Sequence, residues 1–327
     1  MHDRAARIRT GTQPSAAARD ALLDPRVTVD LAHLRGLEGR AKSLNFLPRQ
    51  PARSAMNGRH ASRLRGRGLN FEELRDYLPS DDVRSIDWKV TARTGTPHVR
   101  VFTEERDRPA LIVVDQRMSM FFGSQLNLKS VTAAECAALA AYRILDQGDR
   151  VGGIVFGDEV IAEVRPKRNR SALNRFLAVL AEANALLRPD APDVQPIPIN
   201  EVLRSVAKIA PRNHLIILLS DFAEIDETTR KLVSGIARHN DLILGLVSDP
   251  YGDTLPENAQ LVVSNGYLQI AVDTGDRDTH RALTDLAQGR IAEILDWQRA
   301  LGVPVLPLTS AEDSLAQMRR LMGLGPR

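Results

Sequence analysis

Ala110-Leu-Ile-Val-Val114 is an unbroken apolar run that stops at Asp115. A run of this kind suits a strand covered on both faces, as in a parallel sheet, because no position in it is left for solvent. Downstream, an Ala-rich stretch over 131–145 has the length of a helix and is followed by Gly148, a residue suited to a helix C-terminus. Val151-Gly-Gly-Ile-Val-Phe156 predicts the next strand, 160–164 a short edge strand and 171–186 another helix. After a proline-rich crossing (Pro189, Pro192, Pro196, Pro198), helices are predicted over 200–209, 227–239, 279–301 and 311–322, with strands over 215–219, 242–247 and 303–306. This alternation builds an α/β domain with a doubly wound, mostly parallel sheet. Two alternating runs around Asn265-Gly266, over 261–272, predict an inserted β-hairpin.

Upstream, Val27, Leu31, Leu34, Leu37, Ala41 and Leu44 recur every three or four residues and predict a helix over 27–44. The stretch 48–68, rich in Pro, Arg and Gly, reads as a linker or extended arm. Residues 71–78 have a helical spacing ended by Pro79, and His98-Val-Arg-Val-Phe102 alternates as a strand. The expected organisation is a mobile Arg/Ala-rich leader over 1–25, an N-terminal helix, linker and extension over 26–108, and the α/β domain over 109–327. Trp88, Val99 and Phe102 are too few for a separate core, so 69–108 is expected to pack on the α/β domain.

Composition narrows the function. Hydrophobic residues at 43% and charged residues at 26% belong to a chain that folds, while aromatics at 4% weigh against a base-stacking surface for single-stranded nucleic acid. The longest apolar runs, such as 214–220, fall short of the roughly 20 residues of a membrane span. Arg4, Arg7 and Arg9 are not followed by the apolar stretch of a secretory signal. The single cysteine, Cys136, allows no internal disulfide and is expected in the core of a helix. These features together point to the cytoplasm. Residues 1–68 hold 13 Arg and one Lys against five acids, a balance of +9 that leaves the remainder at −6. Such an arm can meet an acidic protein, a lipid surface or nucleic acid, and a nucleic-acid-binding role through it is the alternative function. The acidic remainder weighs against that alternative.

In a doubly wound sheet, ligands sit outside the carboxyl ends of the strands. Two predicted strands end there in an acid, Val114-Asp115 and Ser220-Asp221, either as turn caps or as parts of one site. No phosphate-binding loop, nucleophile elbow, zinc-protease pair or paired-cysteine motif occurs, so a non-enzymatic role is expected. Gly152-Gly153 lies inside a strand and is read as close helix packing. Around Trp88 gather Asp81, Asp82, Arg84, Asp87 and Arg93. They are either a charged network that fastens the extension, with Trp88 as its apolar anchor, or a partner-binding hot spot.

Asp115-x-Arg117-x-Ser119 resembles the Asp-x-Ser-x-Ser motif by which von Willebrand factor A domains hold a divalent metal. The resemblance implies a metal site of Asp115, Ser119 and Asp221 that would take Mg²⁺. Arg117 stands where the family has its first serine, and 196–200 offers no threonine, so the site is degenerate. Two converging carboxylates need a cation, and Arg117, always charged and bidentate, is expected to serve in place of the metal. A longer run, Arg65-Gly-Arg-Gly-Leu-Asn-Phe-Glu-Glu-Leu-Arg-Asp-Tyr-Leu-Pro-Ser-Asp-Asp-Val-Arg-Ser-Ile-Asp-Trp-Lys-Val-Thr-Ala-Arg93, is joined by Glu104-Glu-Arg106, Gly148-Asp-Arg-Val151 and Ser220-Asp-Phe222. Together they resemble domain-of-unknown-function family fifty-eight, von Willebrand A-like proteins found beside MoxR-type AAA+ ATPases. The resemblance spans 28–310 and implies an adaptor that binds such an ATPase in a chaperone-like system, with a client protein as a further partner.

Overall fold

The computed structural model describes residues 24–44, 69–79, 81–104, 109–159, 161–188, 191, 194–253, 260–264, 269–273 and 277–323. Most of the expected leader and arm, 1–23 and 45–68, lies outside them. The chain divides into two compact units, Met1–Phe46 with Arg108–Arg327, and Leu47–Asp107.

The N-terminal segment forms two short helices, α1 (Leu31–Gly36) and α2 (Glu38–Ala41), where the spacing predicted one. Gly36 and Gly39 weaken a continuous helix at this point. The predicted apolar face is nevertheless the buried one: Leu34, Leu37, Ala41 and Leu44 are all in the core. Each fully buried Leu contributes about 1.5–3 kcal/mol before the entropy of ordering the chain is set against it. This segment therefore belongs to the α/β body rather than to the extension that follows it.

The smaller unit is an antiparallel pair, β1 (Leu69–Asp76) and β2 (His98–Glu104), with α3 (Trp88–Thr94) between them. A helix was predicted over 71–78, and a strand forms instead. The register shifts between Phe71 and Glu73. A bulge inserts one residue, so a strand spacing of two is stretched to three and imitates the helical period. Eight residues of helix would also be marginal alone, whereas pairing with β2 satisfies the backbone.

The α/β body continues through β3 (Ala110–Asp115), α4 (Lys129–Asp146), β4 (Val151–Phe156), β5 (Ile161–Lys167), α5 (Arg170–Ala185), α6 (Ile199–Ile209), β6 (Leu215–Ser220), α7 (Glu227–Ala237) and β7 (Asp241–Ser248). It closes with α8 (Pro250–Asp253), the antiparallel pair β8 (Gln260–Ser264) and β9 (Gln269–Asp273), α9 (Arg277–Leu301), β10 (Val305–Thr309) and α10 (Ser314–Leu321). The six-stranded sheet has the order β10-β7-β6-β3-β4-β5, parallel except for β5 at its edge. β3 shows why an unbroken apolar run was needed. Its Ala110, Ile112 and Val114 face one core with α1, α2, α4, α5 and α10, while Leu111 and Val113 face the other with α6, α7 and α9.

Helix α4 is buried along nearly its whole length, and Cys136 lies within it, fully enclosed. Burial pushes the Cys136 thiol well above its ordinary range, consistent with an inert core residue. Two charged residues of this buried helix are matched. Glu135 meets His33 Nε2 at 2.7 Å and accepts from Ser314 Oγ at 2.6 Å, and Lys129 meets Asp221.

The two glycines of β4 have different reasons. A Cβ on Gly153 would stand 2.2 Å from Phe176 Cε2 on α5 and 2.6 Å from the Ile112 carbonyl, which is the helix packing expected. On Gly152 it would stand 2.3 Å from the Val164 carbonyl of β5, so here the close neighbour is the edge strand. Gly153→Ala is expected to lower stability by about 1–3 kcal/mol, since overpacking forces a well-packed core apart. The urea midpoint measures it, and Phe176→Leu in the same chain should restore part of the loss. An unchanged midpoint would contradict the packing argument.

Candidate functional site at the carboxyl edge of the sheet

From β3 the chain moves to β4 on one side and later to β6 on the other, so the winding reverses between β3 and β6. Neighbouring connections diverge at such a switch point and leave a crevice. Asp115 and Ser220-Asp221 end those two strands.

Both acids are buried, and each has its own cation. Arg117 Nη2 donates to Asp115 Oδ2 at 2.8 Å and Arg117 Nε to Asp115 Oδ1 at 3.1 Å. The guanidinium is 2% exposed, lies 5.4 Å from the Phe156 ring centroid and reaches the Ile197 carbonyl at 3.3 Å. Burial alone would lower the Arg117 pKa, but the charge and hydrogen bonds of Asp115 outweigh it and leave it raised. Lys129 Nζ donates to Asp221 Oδ2 at 2.7 Å. Burial would raise the Asp221 pKa, but Lys129 outweighs it, helped by Arg117 and Arg290, and holds the carboxyl well below the usual range.

The remaining acceptor capacity is also taken. Ser220 Oγ donates to Asp115 Oδ2 at 2.6 Å and accepts from Phe222 N at 2.9 Å. Ser119 Oγ lies 3.4 Å from Asp221 Oδ1, which also accepts from Ala223 N at 3.0 Å. An Mg²⁺ shell of Asp115, Ser119 and Asp221 would have to displace two cations that already neutralise its carboxylates. The donor set does not fit the ion. Among the described residues no group of three or more His, Cys, Asp or Glu side chains is placed to hold a metal.

The acids at the ends of four neighbouring strands all accept from backbone N–H groups. Asp115, Asp221 and Asp249 each accept at Oδ1 from the backbone N–H two residues on, that of Arg117, Ala223 and Tyr251. Asp158, after β4, accepts from Met118 N at 3.0 Å. Burial pushes its carboxyl up, with the Met118 hydrogen bond and Arg117 acting against that. Asp249, after β7, accepts from Ser124 N at 2.8 Å and from Ser310 Oγ. Its burial is outweighed by these bonds, and its pKa is lowered. Sequence reasoning found Asp115 and Asp221 but missed Asp158, Asp249 and Lys129. Phe156-Gly-Asp158 and Val247-Ser-Asp249 carry the same apolar-then-acid signal at the same spacing as Leu219-Ser-Asp221.

The loop between β3 and α4 lies over this edge. Gly123 permits its tight fold, since a Cβ there would stand 2.1 Å from the Asn127 carbonyl. The loop leaves Phe122 and Leu126 exposed, and Tyr251 after β7 is exposed as well. Ser124 N and Tyr251 N bind the same Asp249 carboxylate, which brings these apolar side chains to one edge.

In the smaller unit, Asp81 takes both guanidinium nitrogens of Arg75 at 2.7 Å. Asp82 caps the backbone of Arg84 at 2.9 Å, and Asp87 caps α3 at Lys89 N, 3.0 Å. Trp88 is 64% exposed. The side chains of Arg84 and Arg93 make no ion pair among the described residues.

The class is thus an α/β domain with a doubly wound sheet whose switch-point acids are neutralised by cations of its own chain. The family described as "Protein of unknown function DUF58" matches residues 73–290, more than half of the chain, and the chain belongs to that family. It is 26% identical over 319 residues to "Uncharacterized protein Rv1480" of Mycobacterium tuberculosis, covering 94% of this chain and 93% of that one. "Uncharacterized protein Mb1516" of Mycobacterium bovis is similar to the same extent. Among solved structures, the SpRpn10 VWA domain aligns with a TM-score of 0.36 and 10% identity, covering 67% of this chain and 98% of that one. Among the described residues no helix is long and apolar enough to cross a membrane.

Proposed function

We propose that the chain is a non-catalytic protein-binding module whose partner docks at the carboxyl edge of the sheet. The observation that carries this reading is the exposure of Phe122, Leu126 and Tyr251 on segments held together at that edge. A few side chains, aromatic ones prominent among them, supply most of the energy of protein interfaces. The pairs Arg117–Asp115 and Lys129–Asp221 support it further, because they tie the edge together with cations of the chain itself. Family resemblance suggests the partner, a MoxR-type AAA+ ATPase that the chain serves as adaptor.

The full chain and a purified MoxR-type ATPase from the same cell test this by direct titration. Phe122→Ser with Tyr251→Ser is expected to weaken binding about tenfold or more without lowering the urea midpoint. The chain alone should not turn over ATP. Wild-type affinity in the double variant would remove the edge from the interface, and ATP turnover by the chain alone would contradict the non-catalytic reading. Tighter binding to DNA than to the ATPase, steeply lost with salt, would favour the Arg-rich arm instead.

A further inference from the structure

We infer that the face of α3 carrying Trp88 is a second docking surface, one that takes an acidic protein segment with apolar side chains. Trp88 is 64% exposed, Val83 55% and Leu78 52%, so three large apolar side chains of one short stretch are left uncovered. Lys89 and Arg93 are four residues apart on α3 and lie on one face, beside Trp88 and Ala92.

Charge decides what fits. Of the acids of this stretch, Asp81 is paired by Arg75, Asp82 and Asp87 are turned onto backbone N–H groups as caps, and Asp76 lies beside His98 at the far end of the stretch. The side chains of Arg84, Lys89 and Arg93 make no hydrogen bond or ion pair among the described residues. Lys89 and Arg93 beside an exposed indole, with Arg84 in the turn before the helix, form a surface complementary to carboxylates, with Trp88 as the apolar contact. Guanidinium and ammonium groups steer an acidic segment in, and the indole gives it a place to bury an aliphatic side chain.

Tryptophan emission tests this on the full chain. Of its two tryptophans, Trp297 is 1% exposed, so quenching by acrylamide reports Trp88. A short peptide of alternating Glu and Leu is expected to shift the emission to the blue and protect it from acrylamide, saturably and less so at high salt. Arg84→Glu with Lys89→Glu and Arg93→Glu should weaken that protection about tenfold or more while leaving the urea midpoint unchanged, since these side chains hold nothing in the fold. An all-Glu peptide should bind less tightly, and a Lys/Leu peptide not at all. Four results would overturn the inference. They are no protection by the Glu/Leu peptide, a Trp88 already shielded in the free chain, shielding that grows with protein concentration as a second copy covers it, and equal protection by duplex DNA.

Discussion

Arg117→Ser, measured in chelator, is expected to destabilise the protein by about 3–5 kcal/mol, the range for removing one partner of a buried ion pair. The reason is what remains. Asp115 has no exposed surface, and without the guanidinium its charge would be held only by Ser220 Oγ and the backbone N–H of residue 117. The Coulomb attraction lost, two unit charges near 3 Å apart, is on the order of 5 kcal/mol at an effective dielectric of 20, before desolvation is set against it. Lysine should not replace arginine, because a point charge cannot span both carboxylate oxygens. Arg117→Met combined with Asp115→Asn should recover much of the loss, since the double change removes both charges of this buried pair. In the wild type, Mg²⁺ should leave the melting temperature nearly unchanged. In Arg117→Ser the new hydroxyl completes the Asp-x-Ser-x-Ser pattern, and Mg²⁺ should restore part of the lost stability. A marked Mg²⁺-dependent stabilisation of the wild type would show that Arg117 does not take the ion's role.

The second large effect belongs to Lys129. Lys129→Met leaves Asp221 buried without its closest cation, and a loss of about 3–5 kcal/mol is expected at pH 7. The pH dependence distinguishes this from simple loss of packing. In the wild type the folded pKa of Asp221 is depressed below its unfolded value of about 3.9. Its stabilisation is therefore fully present above about pH 4 and is lost as pH falls through the folded pKa. In Lys129→Met, burial becomes the leading influence and the folded pKa rises. The variant then loses stability as pH climbs above the unfolded pKa, where keeping the group protonated in the fold becomes costly. The difference from wild type should be largest at pH 7 and shrink towards pH 4. Urea unfolding from pH 4 to pH 8 measures it, and Asp221→Asn in the Lys129→Met background should restore stability. A difference of under about 1 kcal/mol, flat across that range, is the behaviour of an exposed pair and would refute the burial argument.

Sequence by itself determined the doubly wound sheet and its two helical layers. That information is local, because apolar runs of strand length, the 3.6-residue period and turn residues such as Gly148 are read within one element. It also put Arg117 two residues from Asp115 at one strand end, within reach of the contact that the structure shows at 3.1 Å. Tertiary structure alone decided the rest. Lys129 and Asp221 are 92 residues apart, and Asp249 meets Ser124 across 125. No period links such positions until the sheet brings them together. One faint signal for Lys129 was present, a cation in the first turn of a helix, where the macrodipole disfavours it unless an acid compensates. β1 was misread because a bulge, which forms only against its partner strand, changes the spacing on which the helical reading relied. Trp88 was undecided for the same reason. Its sequence neighbours suit an anchor as well as a hot spot, and the exposure of the indole and the capping of backbone by Asp82 and Asp87 are features that no sequence period carries.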